Sequence, residues 1–337
     1  MFKISYLIIF FLSIFIIYFL TKYSKLIGEY FHVIDIPDKN KIHISATPLI
    51  GSFGLIIFSI ITMFFLKINS FNNSTTFIFV YSYVFFFVGY IDDRININAY
   101  LKLLISVIIL FVALYFNEIF LIKKIYIELL NKDIYLNKSS ILFSILCILL
   151  LINSLNLIDG INGLASGFST LWLFSLSLLS SGDIKNILLF ISFFMTINTY
   201  QIIKGRYFLG DSGTLFLGCL VSLTTIFTYN ALTNQNITMS IEKIFIFFMI
   251  PGLDMFRLFI FRLINKKDPF SRDLSHLHHY MIKQFSLNQT LIIYLCLFSL
   301  TNFLSFLNIV NSAVIILIYL VIYIFFIYIS KKKFKSN

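Results

Sequence analysis

The run ISYLIIFFLSIFIIYFL, residues 4–20, decides the fold class of this chain. It contains no charged residue and approaches the roughly 20 apolar residues with which a helix crosses a bilayer. A secretory signal peptide would end at a small-residue cleavage site, whereas Lys22 and Lys25 follow this run instead. We therefore expect residues 4–20 to remain in the protein as its first membrane span.

Similar apolar runs recur along the whole chain and predict an all-α, polytopic integral membrane protein with about eleven transmembrane helices. The predicted spans are 4–20, 49–66, 75–91, 101–116, 140–156, 168–181, 187–203, 213–232, 241–260, 290–309 and 313–330. Only 12% of the 337 residues are charged, about half the roughly 25% expected of a soluble domain. Because the polar stretches are short, we expect a single membrane-embedded domain over 1–337, with a motif-bearing core near 31–285 and a basic tail at 331–337.

The net charge of +11 is explained first by membrane topology, not by affinity for nucleic acid. Alternate loops share a side of the membrane, and most of the 26 Lys and Arg residues then fall on one side. The positive-inside rule makes that side cytoplasmic and predicts an N-out, C-in chain. The five histidines and most of the aspartates fall on the same side. Since polar groups near hydrocarbon are costly unless partnered, this clustering predicts a site at the cytoplasmic face.

Adjacent carboxylates end the third predicted span in the sequence Gly89-Tyr90-Ile91-Asp92-Asp93-Arg94. Two neighbouring acids repel each other and need a cation, which Lys102 at the start of the fourth span could supply. The alternative is a solvated helix end in which Arg94 pairs locally with the acids.

A polar segment, residues 153–163, lies where the fifth predicted span meets the cytoplasm. Asn153 and Asn156 share a helix face by their three-residue spacing, and Asp159 continues that face if the helix continues. Gly160 and Gly163 also fit an ordinary turn. A turn explains the glycines but not the two asparagines within the span.

One carboxylate, Asp211, stands between glycines in the sequence Gly210-Asp211-Ser212-Gly213, shortly after Lys204 and Arg206. It could bind a hard cation while the basic residues meet phosphate. A tight turn between helices is the alternative. A single acid is too little for a dedicated magnesium cage, but substrate phosphates commonly complete the shell of that ion.

The last large polar segment carries Asp254, Arg257, Arg262 and the sequence His276-Leu277-His278-His279, and we expect a loop there, at the end of the predicted span 241–260. Zinc is disfavoured because no cysteine is near, the HExxH pattern is missing and basic residues surround the histidines. A cationic pocket for phosphate fits these surroundings better, and solvated or self-paired histidines are the alternative.

Taken together and in this order, these segments resemble the polyprenyl-phosphate N-acetylhexosamine-1-phosphate transferases of glycosyltransferase family 4. The motifs that carry the resemblance are Asp35-Ile36-Pro37 with Lys41 and His43, Thr47-Pro48 with Gly51, Asp92-Asp93, Asn156 to Gly163, Phe208 to Gly213, and Pro269-Phe270 with His276 to His279. The His-x-His-His form is more similar to the undecaprenyl-phosphate N-acetylglucosamine-1-phosphate transferase branch than to phospho-N-acetylmuramoyl-pentapeptide transferase.

The resemblance implies transfer of a sugar 1-phosphate from a UDP-N-acetylhexosamine, with UDP-N-acetylglucosamine favoured, to undecaprenyl phosphate, with release of UMP. The cofactor implied is Mg²⁺, with Mn²⁺ as the alternative. This would be the first membrane step of a cell-surface glycan such as O-antigen, common antigen or a teichoic-acid-like polymer. The implied location is the bacterial cytoplasmic (inner) membrane, with membrane lipid and a homodimer among the expected partners and no nucleic acid.

Carried over residue by residue, the resemblance implies that Asp211 ligates the metal and that Asp92, Asp93 and Asp211 are the catalytic acids. The substrate-binding residues implied are Lys41, His43, Lys102, Asn153, Asn156, Asp159, Asn162, Phe208, Arg272, His276, His278 and His279. Phe208 would stack on uracil. Direct attack by the lipid phosphate is favoured over a covalent aspartyl intermediate, because that phosphate is already an oxyanion at neutral pH.

The chain departs from the family pattern at three positions outside the histidines. Asn162 stands where the family usually has Asp, and Asn40 and Ser52 stand where it usually has Arg and Gly. Two other function classes were weighed. A cation-coupled transporter would place ionisable groups near the middle of the membrane, whereas these acids lie at span ends; an inactive scaffold would not need the full set of acids.

Overall fold

A computed structural model describes residues 4–37, 45–66, 73–234, 239–269 and 275–334. Within these ranges the protein consists of α-helices, two short 3₁₀ turns (Glu118–Phe120 and Asn137–Ser139) and four short strands. The helices are α1 (Ile4–Lys22), α2 (Ser24–Phe31), α3 (Gly51–Phe65), α4 (Asn73–Ile95), α5 (Ala99–Phe116), α6 (Ser140–Ile158), α7 (Leu164–Leu179), α8 (Gly182–Ile203), α9 (Gly210–Asn234), α10 (Ile241–Ile264), α11 (Leu277–Ile282), α12 (Leu287–Phe306) and α13 (Ser312–Phe334). The strands are β1 (Ile34–Asp35), β2 (Thr47–Pro48), β3 (Lys124–Ile127) and β4 (Lys132–Tyr135).

Eight helices of the described residues are long and apolar enough to cross a membrane, namely α1, α4, α5, α6, α8, α9, α10 and α12. Three shorter apolar helices lie at Gly51–Phe65, Leu164–Leu179 and Ser312–Tyr328. Every span predicted from the sequence overlaps one of these helices. The protein is therefore a helical, multi-pass membrane protein, as expected, while eleven crossings and the N-out, C-in orientation stay predictions.

Two polar connections contain regular secondary structure. The segment after α1 contains α2 and strand β1, which pairs with β2 through Ile34↔Pro48 and Asp35↔Thr47. The connection between α5 and α6 forms the antiparallel hairpin β3–β4. Its residues Ile125, Tyr126 and Ile127 are of the β-branched and aromatic types that favour strands.

The chain divides into two compact units. Unit 1 comprises residues 1–121 and 145–230, and unit 2 comprises residues 122–144 and 231–337. In unit 1, α1, α3, α7 and α8 pack together, and the rings of Phe58 and Phe194 stack with centroids 4.7 Å apart. Aromatic pairs of this kind add to the burial of apolar area in a core.

In unit 2, α10, α12 and α13 pack together. The hairpin β3–β4 is fastened to the start of α10, because the Glu242 carboxylate accepts hydrogen bonds from the backbone N–H groups of Glu128 (3.0 Å) and Leu129 (3.1 Å). The Glu128 carboxylate in turn accepts from the hydroxyls of Ser240 and Ser312, each at 2.9 Å. The sequence-based prediction of a single domain over 1–337 stays a prediction.

The loop that bears the histidines begins later than expected. Asp254 and Arg257 lie in α10, within the predicted span 241–260, and Arg262, which was expected to follow that span in a loop, also lies in α10, which ends at Ile264. The helix continues because the residues after Asp254 are mostly apolar helix formers. In addition, the side chains of Asp254 and Arg257 have partners within unit 2. Partnered charges can be accommodated in a membrane-spanning helix.

Candidate active site

Four side chains of unit 1 meet at the ends of four helices and form what we call the acidic cluster: Asp92, Lys102, Asn156 and Asp211. The Lys102 ammonium lies 2.6 Å from Asp92 Oδ2 and 3.0 Å from Asp211 Oδ2. The predicted cation for the paired acids is therefore Lys102. Arg94 is exposed and lies over the ring of Tyr90. Asp92 also accepts a hydrogen bond from the backbone N–H of Ile97 at 2.7 Å, which holds the turn between α4 and α5.

Asp93 faces a different partner from its neighbour Asp92. Its two carboxylate oxygens accept hydrogen bonds from the backbone N–H groups of Asp211 (2.8 Å) and Ser212 (3.0 Å). These N–H groups belong to the first turn of α9, where the helix leaves donors unpaired and where negative charge is favoured. Asp93 therefore caps α9 from another helix and fixes the backbone of Asp211.

Two glycines allow this close approach of α4 to α9. A Cβ on Gly89 would collide with the backbone of Asp211 and Ser212, and a Cβ on Gly210 would lie 2.7 Å from Asp93 Oδ2. Gly210 also has φ = +76°, a conformation that glycine adopts readily. Because they lack a Cβ, Gly89 and Gly210 thus allow the Asp93 carboxylate to reach the first turn of α9.

Asn156 completes the contact with Asp211. Its side-chain N–H₂ group donates to Asp211 Oδ1 at 2.8 Å and to Thr214 Oγ1 at 2.9 Å. Asn153, which was expected to lie on the same face, donates instead to the carbonyl oxygen of Leu149 one turn earlier. Only one of the two asparagines therefore contacts the acidic cluster within the described residues.

Asp159 lies just beyond the end of α6, in the turn that leads to α7. Burial raises the pKa of the Asp159 carboxyl well above its usual range, and the charges of Asp211, Asp93 and Asp35 add to the increase. Gly163 closes the turn with φ = +89°, and the side-chain nitrogen of Asn162 lies near Gly205. The turn thus brings Asp159 within electrostatic reach of Asp211.

Phe208 stands in a loop that is paired with the segment before α3. Its N–H donates to the Pro48 carbonyl at 2.8 Å, and its carbonyl accepts from the Gly51 N–H at 2.9 Å. Beneath it, the buried Asn198 donates to the Gly51 carbonyl and accepts from the Tyr207 hydroxyl at 2.8 Å. Burial raises the pKa of the Tyr207 hydroxyl, which therefore stays a neutral donor. These bonds fix the loop immediately before Asp211.

The donor set suits a hard cation such as Mg²⁺. Asp92 and Asp211 supply carboxylate oxygens, the ligands that magnesium prefers, and both contact the Lys102 ammonium. One ammonium balances the charge of only one ionised carboxylate, so this pair of acids fits the metal expected at Asp211.

The second group of predicted residues lies in unit 2, at His276–His279, which we call the histidine turn. His276 and His278 are buried, and their rings stack with centroids 5.3 Å apart. His276 Nδ1 lies 2.9 Å from Asp254 Oδ2. His276 and His278 are therefore not solvated, and their stacked rings agree with the self-paired alternative.

His278 is set apart by its environment. Burial, reinforced by the nearby His279 and His276 and opposed by Asp254, holds the pKa of His278 well below its usual range. Ligand atoms of Asp254, His276 and His278 lie within 4.8 Å of one another and could hold a metal ion. Arg257, however, already lies 2.8 Å from Asp254 Oδ1. A cation would compete with this guanidinium, which supports the expectation that zinc is disfavoured.

Three predicted substrate-binding residues, Lys41, His43 and Arg272, lie outside the described residues. Among those described, the structure brings Asp92, Asp93, Lys102, Asn156 and Asp211 together in unit 1, and His276, His278 and His279 together in unit 2. Their roles in binding and catalysis stay predictions.

Sequence reasoning missed residues that hold both groups. Thr214, which shares the Asn156 amide with Asp211, lies one turn along α9 and could have been found by its spacing from Asp211. Asp254 was named in the last polar segment, but its contact with His276 was not predicted, although a charged residue inside an apolar run signals a partner. Tyr323, which donates to Asp254 at 2.9 Å, carries no signal because tyrosines are scattered through the apolar runs of this chain.

The acidic cluster and the Phe208 loop fall in the segment 75–229, which matches the family described as Glycosyl transferase family 4. This match confirms the resemblance drawn from the motifs. The match includes Asp92, Asp93, Lys102, Asn156, Asp159, Asn162, Phe208 and Asp211.

Curated relatives of this chain carry closely similar names. A Bacillus subtilis protein named "Probable undecaprenyl-phosphate N-acetylglucosaminyl 1-phosphate transferase" is 27% identical over 82% of this chain and 77% of its own length. An "Undecaprenyl-phosphate alpha-N-acetylglucosaminyl 1-phosphate transferase" of Thermotoga maritima is 26% identical over 82% of each chain. The Escherichia coli K12 protein of that name is 25% identical over 82% of this chain and 75% of its own length. These similarities lend no support to a transporter.

Proposed function

We propose that this protein transfers N-acetylglucosamine 1-phosphate from UDP-N-acetylglucosamine to undecaprenyl phosphate and releases UMP. The observation that carries the proposal is the acidic cluster, in which Asp92 and Asp211 share the Lys102 ammonium inside the segment that matches the family. The names of the relatives supply the transferred group and the acceptor, and the resemblance of the motifs implies UDP as the carrier of that group. The product would begin a cell-surface glycan.

The chemistry asks the protein to bring two anions together. An oxygen of the lipid phosphate attacks the phosphorus that carries the sugar, the bridging P–O bond breaks, and its electron pair leaves with UMP. Since the lipid phosphate is already an oxyanion, positioning and charge neutralisation matter more than a general base. Direct attack is therefore proposed over a covalent aspartyl intermediate.

Lys102 is suited to bind one of the reacting phosphates. An ammonium has three N–H donors, and two of them are directed at Asp92 and Asp211. The third donor can meet a phosphate oxygen, and the side chain is 15% exposed and so accessible. Asp92 and Asp211 keep the ammonium charged and in place while it does so.

Asp211 is the proposed ligand of Mg²⁺, with Asp92 beside it on the shared Lys102 ammonium; when bound, the ion would neutralise phosphate oxygens. Asp93 keeps the Asp211 backbone fixed, and the paired loop holds Phe208 beside it for stacking on uracil. The histidine turn is proposed to contact the phosphate or sugar of the donor. The expected orientation is N-out and C-in, with the site at the cytoplasmic face of the bacterial inner membrane.

The function is tested with detergent-purified protein, magnesium, undecaprenyl phosphate and single UDP-sugars. UMP release with UDP-N-acetylglucosamine is expected, and a donor series including other N-acetylated UDP-sugars fixes the specificity. Folded protein that releases no UMP with any of them would contradict the assignment. Exchange of labelled UMP into the donor without acceptor would favour the covalent route.

Topology has its own test. Single cysteines introduced at the exposed positions Lys267 and Leu130, in a background without Cys147, Cys219 and Cys296, should label from opposite sides of sealed vesicles. Labelling of Lys267→Cys from outside intact cells would overturn the proposed cytoplasmic site.

A further inference from the structure

Asp254 lies within the membrane-spanning helix α10, and the proposed transfer does not use it. It is 4% exposed. A carboxylate in such a position is costly unless it is partnered, and it then commonly marks a functional site. Its partners all come from unit 2, from α10 itself, from the histidine turn and from α13.

The first set of partners belongs to the histidine turn. Asp254 Oδ2 lies 2.9 Å from His276 Nδ1. The backbone N–H of Leu277 donates to both carboxylate oxygens at 3.2 Å. The carboxylate therefore fixes both the ring of His276 and the backbone that follows it.

The second set holds Asp254 itself. Arg257 Nη2 lies 2.8 Å from Asp254 Oδ1, and Arg257 Nε donates to the Tyr323 hydroxyl at 2.8 Å. That hydroxyl donates in turn to Asp254 Oδ1 at 2.9 Å. Arg257 Nη2 also donates to the carbonyl oxygen of Ser275 at 2.7 Å, directly before His276. The carboxylate is thus locked by α10 and α13 with its Oδ2 edge directed at His276.

We infer that Asp254 is the positioning residue of His276, whose ring it holds as the tautomer with the proton on Nδ1, leaving Nε2 for the donor substrate. This inference rests on the proposed function insofar as His276 binds substrate. An oriented carboxylate that fixes the tautomer of a working histidine is a recurrent arrangement in enzymes. Arg257 and Tyr323 act through Asp254 and do not need to touch substrate.

The decisive variant is Asp254→Asn. Arg257, Tyr323 and the Leu277 N–H all require an acceptor at the Oδ1 position, so the oxygen of the introduced amide should stay there. Its N–H₂ group would then face His276 Nδ1 and donate to it. The ring proton is expected to move from Nδ1 to Nε2.

The readout is ¹⁵N NMR of full-length protein labelled at its five histidines, with His276 assigned from a His276→Gln sample. The unsubstituted protein should show a proton on Nδ1 of His276, and Asp254→Asn should show it on Nε2. In the same samples, kcat/KM for UMP release should fall about 10- to 100-fold, as for other losses of an orienting partner.

Tyrosines one turn apart on α13 provide a matched pair. Tyr323→Phe removes one donor to Asp254. It should keep the tautomer of His276 and lower kcat/KM by less than Asp254→Asn does. Tyr319→Phe should change neither the tautomer of His276 nor kcat/KM. A proton on Nε2 of His276 in the unsubstituted protein, or an unchanged tautomer in Asp254→Asn, would overturn the inference. Absence of UMP release would defeat the proposed function but leave the tautomer readable, so the two failures are distinguishable.

Discussion

In the acidic cluster carboxylates outnumber the cation that contacts them, whereas in the histidine turn one carboxylate is met by several donors. Asp92 and Asp211 share the ammonium of Lys102. Asp254, in contrast, accepts from Arg257, Tyr323, His276 and the Leu277 N–H. The first region is therefore the one proposed to bind an added cation, whereas the carboxylate of the second already has its donors.

Of the substitutions that test this comparison, Asp211→Asn is expected to have the largest effect on activity. Asp211→Asn removes the charge proposed to ligate magnesium but keeps the backbone N–H that Asp93 holds, so the protein should fold. UMP release should fall by about 10³-fold or more, equivalent to about 4 kcal/mol of transition-state stabilisation. Asp183→Asn, at an exposed position of the same unit, is the matched control. Near-normal turnover in Asp211→Asn would reject the metal role.

Lys102→Met tests whether ammonium and metal share the same carboxylates. Without magnesium, the loss of one partner of a largely buried ion pair should cost about 3–5 kcal/mol of stability. Magnesium should then raise the thermal unfolding midpoint more in Lys102→Met than in the unsubstituted protein, because it replaces the missing charge. The exposed Lys185→Met is the control. Equal magnesium shifts in all three proteins would show that the ammonium and the metal do not compete.

Glycine-to-alanine substitutions test how closely the backbone is packed in α4, next to the acidic cluster, and in α10, next to the histidine turn. Gly89→Ala places a methyl group against the backbone of Asp211 and Ser212 and should cost about 1–3 kcal/mol, with loss of activity as Asp211 shifts. Gly252→Ala in α10 meets no atom within 4 Å, and its stability should be unchanged or slightly higher. The measurement is the denaturation midpoint of each variant. Equal midpoints would mean that the contact between α4 and α9 has room for the added methyl group.

The smallest expected effect is the pH dependence of the histidine turn. Because burial lowers the folded-state pKa of His278, the folded protein binds fewer protons there than the unfolded chain, whose histidine titrates near about 6.5. The stability from His278 is fully present above about pH 6.5 and is lost below it, by up to about 1.4 kcal/mol per pH unit. Acidification should therefore lower the unfolding midpoint.

His278→Asn should weaken that pH dependence, whereas His32→Asn, at an exposed position, should retain it. Midpoints of thermal unfolding at several pH values between 5 and 8 provide the measurement. The same slope in His278→Asn as in the unsubstituted protein would mean that His278 does not titrate differently in the two states.

Much of the fold and part of the candidate site followed from local pattern. The apolar runs predicted the membrane helices because a span must satisfy its own backbone hydrogen bonds. The adjacent acids Asp92 and Asp93 predicted a cationic partner, and Lys102 was the cation proposed. Their different tasks were not predictable, since one faces an ammonium and the other the start of a helix more than a hundred residues away.

The sequence by itself determined a helical membrane protein and its resemblance to a family, because composition, apolar length and motif order are properties of the chain alone. Only the tertiary structure decided that Asp93 caps α9, that Asn156 and not Asn153 contacts Asp211, and that Asp254 holds His276 with the help of Tyr323. The physical reason is that charged and polar side chains in a low-dielectric interior are defined by their partners. Those partners come from segments whose proximity no local pattern records.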